Sequence, residues 1–215
     1  DVIEAAEPLA GGNADHFSVQ AWVNQDNQAS WMAFFAQGSL HSSGSWMGIG
    51  SSGQIRIHTG AASQYCDTAG SVISTGTWHH IVVVVDAGTS VTIYVDGSVV
   101  SCSQTGAINP LTDTTTGMEF GAYTTGATNY YEGILDELAV WAKLVSTAEV
   151  TELYNAGAAK AYTLWEVNEA ENVAYYKFEA AALPYVDSVS ANNFDSGTAP
   201  TQGVGIIDYG QEFDG

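Results

Sequence analysis

The chain has 215 residues, enough for one domain with a sizeable core. Its 24 acidic residues stand against four Lys plus Arg, a net charge of −20. Such a surface excludes nucleic acid as a partner, because nucleic acid needs a basic face, and it disfavours anionic membranes.

The charge fits a saline or cation-rich setting, where self-repulsion is screened or bridged. No apolar run approaches the length of a membrane span. The chain opens on "DVIEAAEP" without Met and is read as a mature or excised piece. N-x-[ST] sites are absent. These features point to a secreted, extracellular or cell-surface protein.

Taken in chain order, short β-type runs recur between Gly, Ser, Thr, Asn and Asp. "HFSVQAWVN" alternates Phe17, Val19, Ala21 and Val23 against polar positions. "SWMAFFAQG", "SWMGIGSSG" and "GQIRIHTG" follow at hairpin spacing. "TWHHIVVVVDAG" is apolar on both faces, which predicts a central strand. "SVTIYVDGSVVSC" predicts a hairpin turning at Asp96-Gly97. "GMEFGAY" and "YYEGILDELAVWAKL" continue the pattern. One helix interrupts it: "STAEVTELYNAG" opens on Ser146 with Glu149 three residues on, a capping box. Val150, Leu153 and Tyr154 make its apolar stripe, and Gly157 is its expected end. Many strands with Gly-rich turns give an all-β class and a two-sheet antiparallel sandwich with one short helix.

Cys66 and Cys102 allow a single pairing. Their polar neighbours favour a disulfide over two buried thiols. No CxxC or spaced histidines suggest a zinc-type site.

These stretches carry a resemblance. "FSVQAWVN", "GTWHHIVVVVDAGTSVTIYVDGSVV" and "YEGILDELAVWAKLVSTAEVTELYNAG" resemble the laminin-G-like, concanavalin A-like lectin-glucanase family in its bacterial and viral version. The resemblance implies a jelly-roll sandwich. A segment resembling the family's usual opening, "NVAYYKFEAAALPYVDSVSANNFDSG", occupies residues 172–197, and "GIIDYGQEFDG" ends the chain. Joined tail to head, "GQEFDG" and "DVIEA" resemble one family hairpin. The expected organisation is therefore a sandwich body at 1–157, a connector at 158–171, and C-terminal strands at 172–215. Those strands complete the same sandwich (a circular permutant) or that of a neighbouring copy by strand swapping. A third arrangement is a piece of a tandem array whose next domain begins at 172. The connector carries Tyr162, Leu164, Trp165 and Val167 and is not a flexible Gly/Ser linker.

The acidic strand "YEGILDELAVW" is the obvious place to look for chemistry. Strict alternation puts Glu132, Ile134, Asp136, Leu138 and Val140 on one face, and Leu135, Glu137 and Ala139 on the other. Glu132 and Asp136 then lie roughly 13 Å apart, outside the about 5–9.5 Å of paired glycosidase carboxylates. An enzyme is not expected. The resemblance instead implies that Asp136 offers oxygen to a structural calcium near the incoming segment, with Asp187 and Asn192 as further ligands. For Asp187 a turn-capping role is the alternative.

His79 and His80 point to opposite sides of one strand, one core and one solvated. Trp31, Trp46 and Tyr123 are candidates for lining a sheet or its rim, with loops 24–29 and 122–129 as that rim. The functional expectation is a calcium-stabilised adhesive or structural module that assembles with copies of itself, into a filament by strand donation, or with tandem domains. The alternative is a monomeric lectin-like module with a glycan partner.

Overall fold

The computed structural model describes residues 2–5, 9, 15–28, 30–39, 43–60, 63–112, 117–123, 129–161 and 171–214. Strands β1 (Val2–Ala5), β2 (His16–Gln25), β3 (Met32–Gln37) and β4 (Ser45–Ile49) come first. They are followed by β5 (Ile55–Thr59), β6 (Tyr65–Thr68), β7 (Trp78–Asp86) and β8 (Ser90–Val95). Next are β9 (Ser98–Val100), β10 (Cys102–Thr105), β11 (Met118–Phe120), β12 (Glu132–Trp141) and the helix α1 (Thr147–Tyr154). The tail adds β13 (Asn172–Tyr176), β14 (Ser196–Thr198), β15 (Thr201–Val204) and β16 (Tyr209–Asp214).

They form two antiparallel sheets. The first runs β10-β6-β5-β4-β3-β11-β1-β14, and the second runs β15-β16-β12-β2-β7-β8-β9, with β13 also on β12. Alternating residues of both sheets meet between them: Phe17, Val19, Ile81 and Val83 from the second, Phe35, Met47, Ile49 and Ile57 from the first. Each such side chain contributes roughly 1.5–3 kcal/mol by leaving water. β7 is buried on both faces, as its unbroken apolar run requires: Val83 and Val85 join the central core, while Val82 and Val84 pack outward.

The β8–β9 hairpin turns where Asp96 and Gly97 have φ of 50° and 76°, the double left-handed geometry of a type I′ turn. The capping box of α1 is present, with Ser146 and Glu149 each satisfying the other's backbone. The helix ends two residues earlier than the glycine suggests, because Asn155 takes the left-handed cap (φ 47°, ψ 48°). Val150 and Leu153 of α1 cover Val82, Val84, Trp141 and Tyr175 on the outer face of the second sheet. Cys66 and Cys102 are bridged, joining β6 to β10 at the edge of the first sheet. Closing a span of 36 residues stabilises by about 3–4 kcal/mol in the chain-entropy account.

The tail folds onto its own chain. β14 pairs with β1 in the first sheet, while β13 and β16 pair with β12 in the second. Its aromatics enter the body: Phe194 lies 4.9 Å from Phe120 and 4.2 Å from Tyr176, ring centre to ring centre. The head and tail do not form one hairpin. β1 belongs to the first sheet and β16 to the second, so the sequence joint resembles a hairpin without pairing as one. Of the connector, residues 162–170, with Tyr162, Leu164, Trp165 and Val167, lie outside the described residues.

Candidate functional site

The outer face of the first sheet is assembled from two cross-strand rows. One runs Glu4, Glu119, Ala36, Trp46, His58, Tyr65 and Thr105, each opposite the next. The other runs Ala33, Gly48, Arg56, Asp67 and Ser103. Their neighbours along the strands, Ile3, Met47, Ile49, Ile55, Ile57 and Phe120, are core. Alternation therefore turns both rows away from the core.

Arg56 sits at the centre of this face. Its guanidinium carbon lies 4.4 Å from the Trp31 ring centre and 4.2 Å from that of Tyr65. Nε and Nη2 donate to the two carboxylate oxygens of Asp67, both at 2.6 Å. That hydrogen-bonded carboxylate raises the Arg56 pKa, outweighing the opposite effect of partial burial. Trp31 meets Trp46 edge-on at 5.8 Å, and Trp46 packs with Tyr123, Ala33 and Ala36. A Cβ on Gly48 would come within 2.9 Å of the Trp46 ring, and one on Gly50 within 3.0 Å of the Trp31 ring. Two glycines and two alanines thus make room for the indoles. The Trp46 indole N–H has no acceptor, an uncommon state for a buried donor. Trp31, Arg56, Tyr65 and Asp67 are each partly exposed.

The structure therefore brings Trp31, Trp46 and Tyr123 together. Arg56, Asp67 and Tyr65 were not singled out from the sequence. "IRIH" does alternate Ile with polar residues, which marks Arg56 and His58 as outward, but the register that sets Asp67 opposite Arg56 lies beyond local pattern. Of the expected rim, Asn24 and Gln25 belong to β2 and pair with β12, and Gln28 Nε2 donates to the Ile73 carbonyl at 2.8 Å. Ala29 and residues 124–128 lie outside the described residues.

The acidic strand departs from strict alternation. β12 carries a bulge between Asp136 and Ala139, and Glu137 has φ 48°. The extra residue shifts the phase. Leu135, Leu138 and Val140 all enter the core, and Ala139 and Trp141 face out under α1. The expectation that Leu135 shares a face with Glu137 and Ala139 is corrected accordingly.

The bulge falls where β16 ends and β13 begins along β12. Asp136 is buried there and accepts three backbone N–H groups: Glu137 at 2.8 Å, Ile206 at 2.8 Å and Ile207 at 3.2 Å. Glu137 accepts the Tyr175 phenol. Burial, then the neighbouring carboxylate, raises the Asp136 pKa to about 9. Burial raises that of Glu137 to about 7, against the opposing Tyr175 hydrogen bond. Glu137, Tyr175, Lys177, Glu179 and Asp208 line a cleft of about 190 Å³ beside this joint.

Asp136, Asp187 and Asn192 do not fit one shared cation. Asp187 Oδ1 accepts the N–H groups of Tyr175 and Val189, and Oδ2 accepts the Ser190 hydroxyl. The Asn192 amide donates to the Val173 carbonyl and Ser190. The two carboxylates share no partner, and their oxygens face N–H and O–H donors, where calcium would require further oxygens. Among the described residues no cluster of three or more His, Cys, Asp or Glu is arranged to hold a metal. Asp187 instead takes the turn-capping role. His80 is buried on the outer face of the second sheet against Trp22 and Gln20. His79 bonds Asp96.

The family model Laminin_G_3, described as the concanavalin A-like lectin/glucanases superfamily, matches residues 2–151. The chain belongs to this superfamily. The match stops short of the tail, whose place in the sandwich is given by its strand pairing. Among solved structures, this superfamily member is similar to a candidate carbohydrate binding protein from Bacteroides ovatus, with TM-score 0.67 and 18% identity, over 89% of this chain and 54% of that one. The chain thus spans about half of that protein's length. Domain 4 of the extracellular arabinanase AbnA from Geobacillus stearothermophilus, solved with arabinotriose, aligns at TM-score 0.54 and 19% identity over 70% of each chain. The CBM40 of the Ruminococcus gnavus IT-sialidase, bound to α2,3 sialyllactose, aligns at TM-score 0.56 and 10% identity over 68% of this chain and 89% of that one. At these identities the likeness is one of fold. No curated protein matches the chain by sequence.

Proposed function

We propose that this chain is a carbohydrate-binding module, without catalysis, that holds a glycan on the outer face of its first sheet. The observation that carries the reading is the Trp31–Arg56–Tyr65 pile. It holds flat apolar groups and paired donors and acceptors in one rigid, partly exposed patch. Sugars present apolar C–H faces and rings of hydroxyls, and such a patch meets both needs. Asp67 and Arg56 supply the acceptor and donors, and the buried Trp46 backs the patch from beneath. Neighbours of the same fold that bind arabinotriose and sialyllactose support the reading. The disulfide supports an extracellular setting.

The adhesive, filament-forming alternative has less behind it. Strand donation to a neighbouring copy needs an empty slot, and residues 172–214 already pair with β1 and β12 of their own chain. Calcium is left out for the geometric reason given above. Unchanged thermal stability in EDTA is expected, and a fall of several degrees would restore it.

The decisive measurement is affinity electrophoresis against a panel of soluble polysaccharides. Retardation by at least one polymer, lost in Trp31→Ala, is the expected result. A Trp31→Ala protein that is retarded like the parent, or no retardation across the panel, removes the proposal.

A further inference from the structure

The charge of this face narrows the ligand. Resting on the glycan reading, we propose that the site selects neutral glycans and rejects acidic ones such as uronate, sialate or sulfate polymers. The chain has only four Lys plus Arg. Three are committed to the far side of the sandwich. Lys143 pairs with Glu149 and Lys160 with Glu152, both acids of α1. Lys177 follows β13 and lines the cleft with Glu137 and Glu179. Arg56 is thus the one Lys or Arg on the outer face of the first sheet.

That cation is already spent. Both its carboxylate-facing nitrogens are engaged by Asp67, in the paired geometry with which an arginine grips an anion. Recognition of a ligand carboxylate or sulfate would have to displace Asp67, which adjoins Arg56 on the neighbouring strand. Glu119 and Glu4 of the longer row lie three and four strands from Arg56, roughly 14 and 19 Å away at ordinary strand spacing, and Glu119 is buried, so the charge beside Arg56 is set by Asp67. His58, the other basic group of the rows, is buried. An oligosaccharide lying on Arg56 and Asp67 meets an acceptor for its hydroxyls in Asp67, and any carboxylate it brings to Arg56 comes within a Debye length of about 8 Å of the Asp67 charge. The net charge of −20 slows the approach of polyanions further.

The test is affinity electrophoresis at pH 7.5 with matched panels. Arabinan, xylan, mannan, galactan and mixed-linkage β-glucan form the neutral set. Polygalacturonate, alginate, hyaluronate and colominic acid form the acidic set. Retardation by one or more neutral polymers, at least tenfold stronger than by any acidic polymer and unchanged between 50 and 500 mM NaCl, is expected. Retardation by acidic polymers alone, or by both sets within threefold, overturns the selectivity while leaving glycan binding standing. No retardation by either set overturns the glycan reading itself. Asp67→Asn, checked for folding by circular dichroism, uncovers the Arg56 charge. It is expected to narrow the neutral-to-acidic ratio at least threefold, with a salt dependence the parent lacks. An unchanged ratio in a folded Asp67→Asn protein overturns the role given to Asp67.

Discussion

The outer faces of the two sheets are built from similar residues and put to different uses. The second sheet turns out Trp22, His80, Tyr94, Trp141 and Tyr175, and nearly all of that surface is sealed: α1 lies over it, Trp141 is fully buried, and Tyr154 of α1 stacks on Trp22 at 5.9 Å. The first sheet turns out Trp46, Arg56 and Tyr65, with Trp31 beside them just before β3; Trp46 is buried, whereas Trp31, Arg56 and Tyr65 are partly exposed and carry no helix over them among the described residues. Its aromatics are steadied by one arginine and by glycines that leave them room. A cap made of protein contributes to stability, whereas a surface rigid without a cap stays available to something else. Aromatic content alone does not separate the two; the difference lies in what each ring rests against.

The contrast can be broken at either face. The largest effect is expected under the helix. Trp141→Ala leaves a void between β12 and α1 and should cost about 3–5 kcal/mol, read as a lower midpoint in chemical denaturation. A cost below about 1 kcal/mol would show the sealed face to be no more than a loose cover.

The joint between body and tail comes next. Asp136→Asn puts an amide among three N–H donors and should cost about 1–3 kcal/mol. The pH dependence has a defined sign. Asp136 and Glu137 have folded pKa values of about 9 and about 7, above their unfolded ones. The folded protein therefore binds more protons than the unfolded chain once pH exceeds the unfolded values. Stability from this pair is full below about pH 4, declines as pH rises, and is gone above the folded values. A thermal midpoint that falls between pH 5 and 9 in the parent, and falls less in Asp136→Asn, is expected. A midpoint that rises over that range contradicts the assignment.

The smallest effect on stability is expected on the open face. Trp31→Ala loses a partly exposed ring and a cation–π contact of about 0.5–1 kcal/mol. Glycan affinity should nonetheless fall at least tenfold, about 1.4 kcal/mol. Parallel losses of stability and binding would mean that the face is merely structural.

Local chemistry made part of this legible in the sequence. Asp96-Gly97 announces its turn because few residues accept two left-handed conformations. Ser146 with Glu149 announces the helix start because both ends of the capping box lie within four residues. The run Ile81–Val85 announces a doubly buried strand. The acidic strand misleads because period-two reading assumes no bulge. At Glu137 one additional residue reverses the facing of everything after it, and nothing in "ILDELAVW" marks the slip. The candidate site was half legible. Trp31, Trp46 and Tyr123 stand out as aromatics in β-type segments, but Arg56 and Asp67 acquire meaning only through a register that the folded sheet sets. Asp136 reads from the resemblance as a calcium ligand, whereas its carboxylate is surrounded by N–H donors. Its partner, two N–H groups about seventy residues downstream, is supplied by tertiary structure.

The pairing of β1 with β14 sets a timetable for biosynthesis. Val2 meets Thr198, so during translation the opening strand waits with one edge bare until nearly two hundred residues have left the ribosome. The β1–β14 contact therefore forms only after β14 has emerged, and pairing over so long a sequence separation favours slow folding.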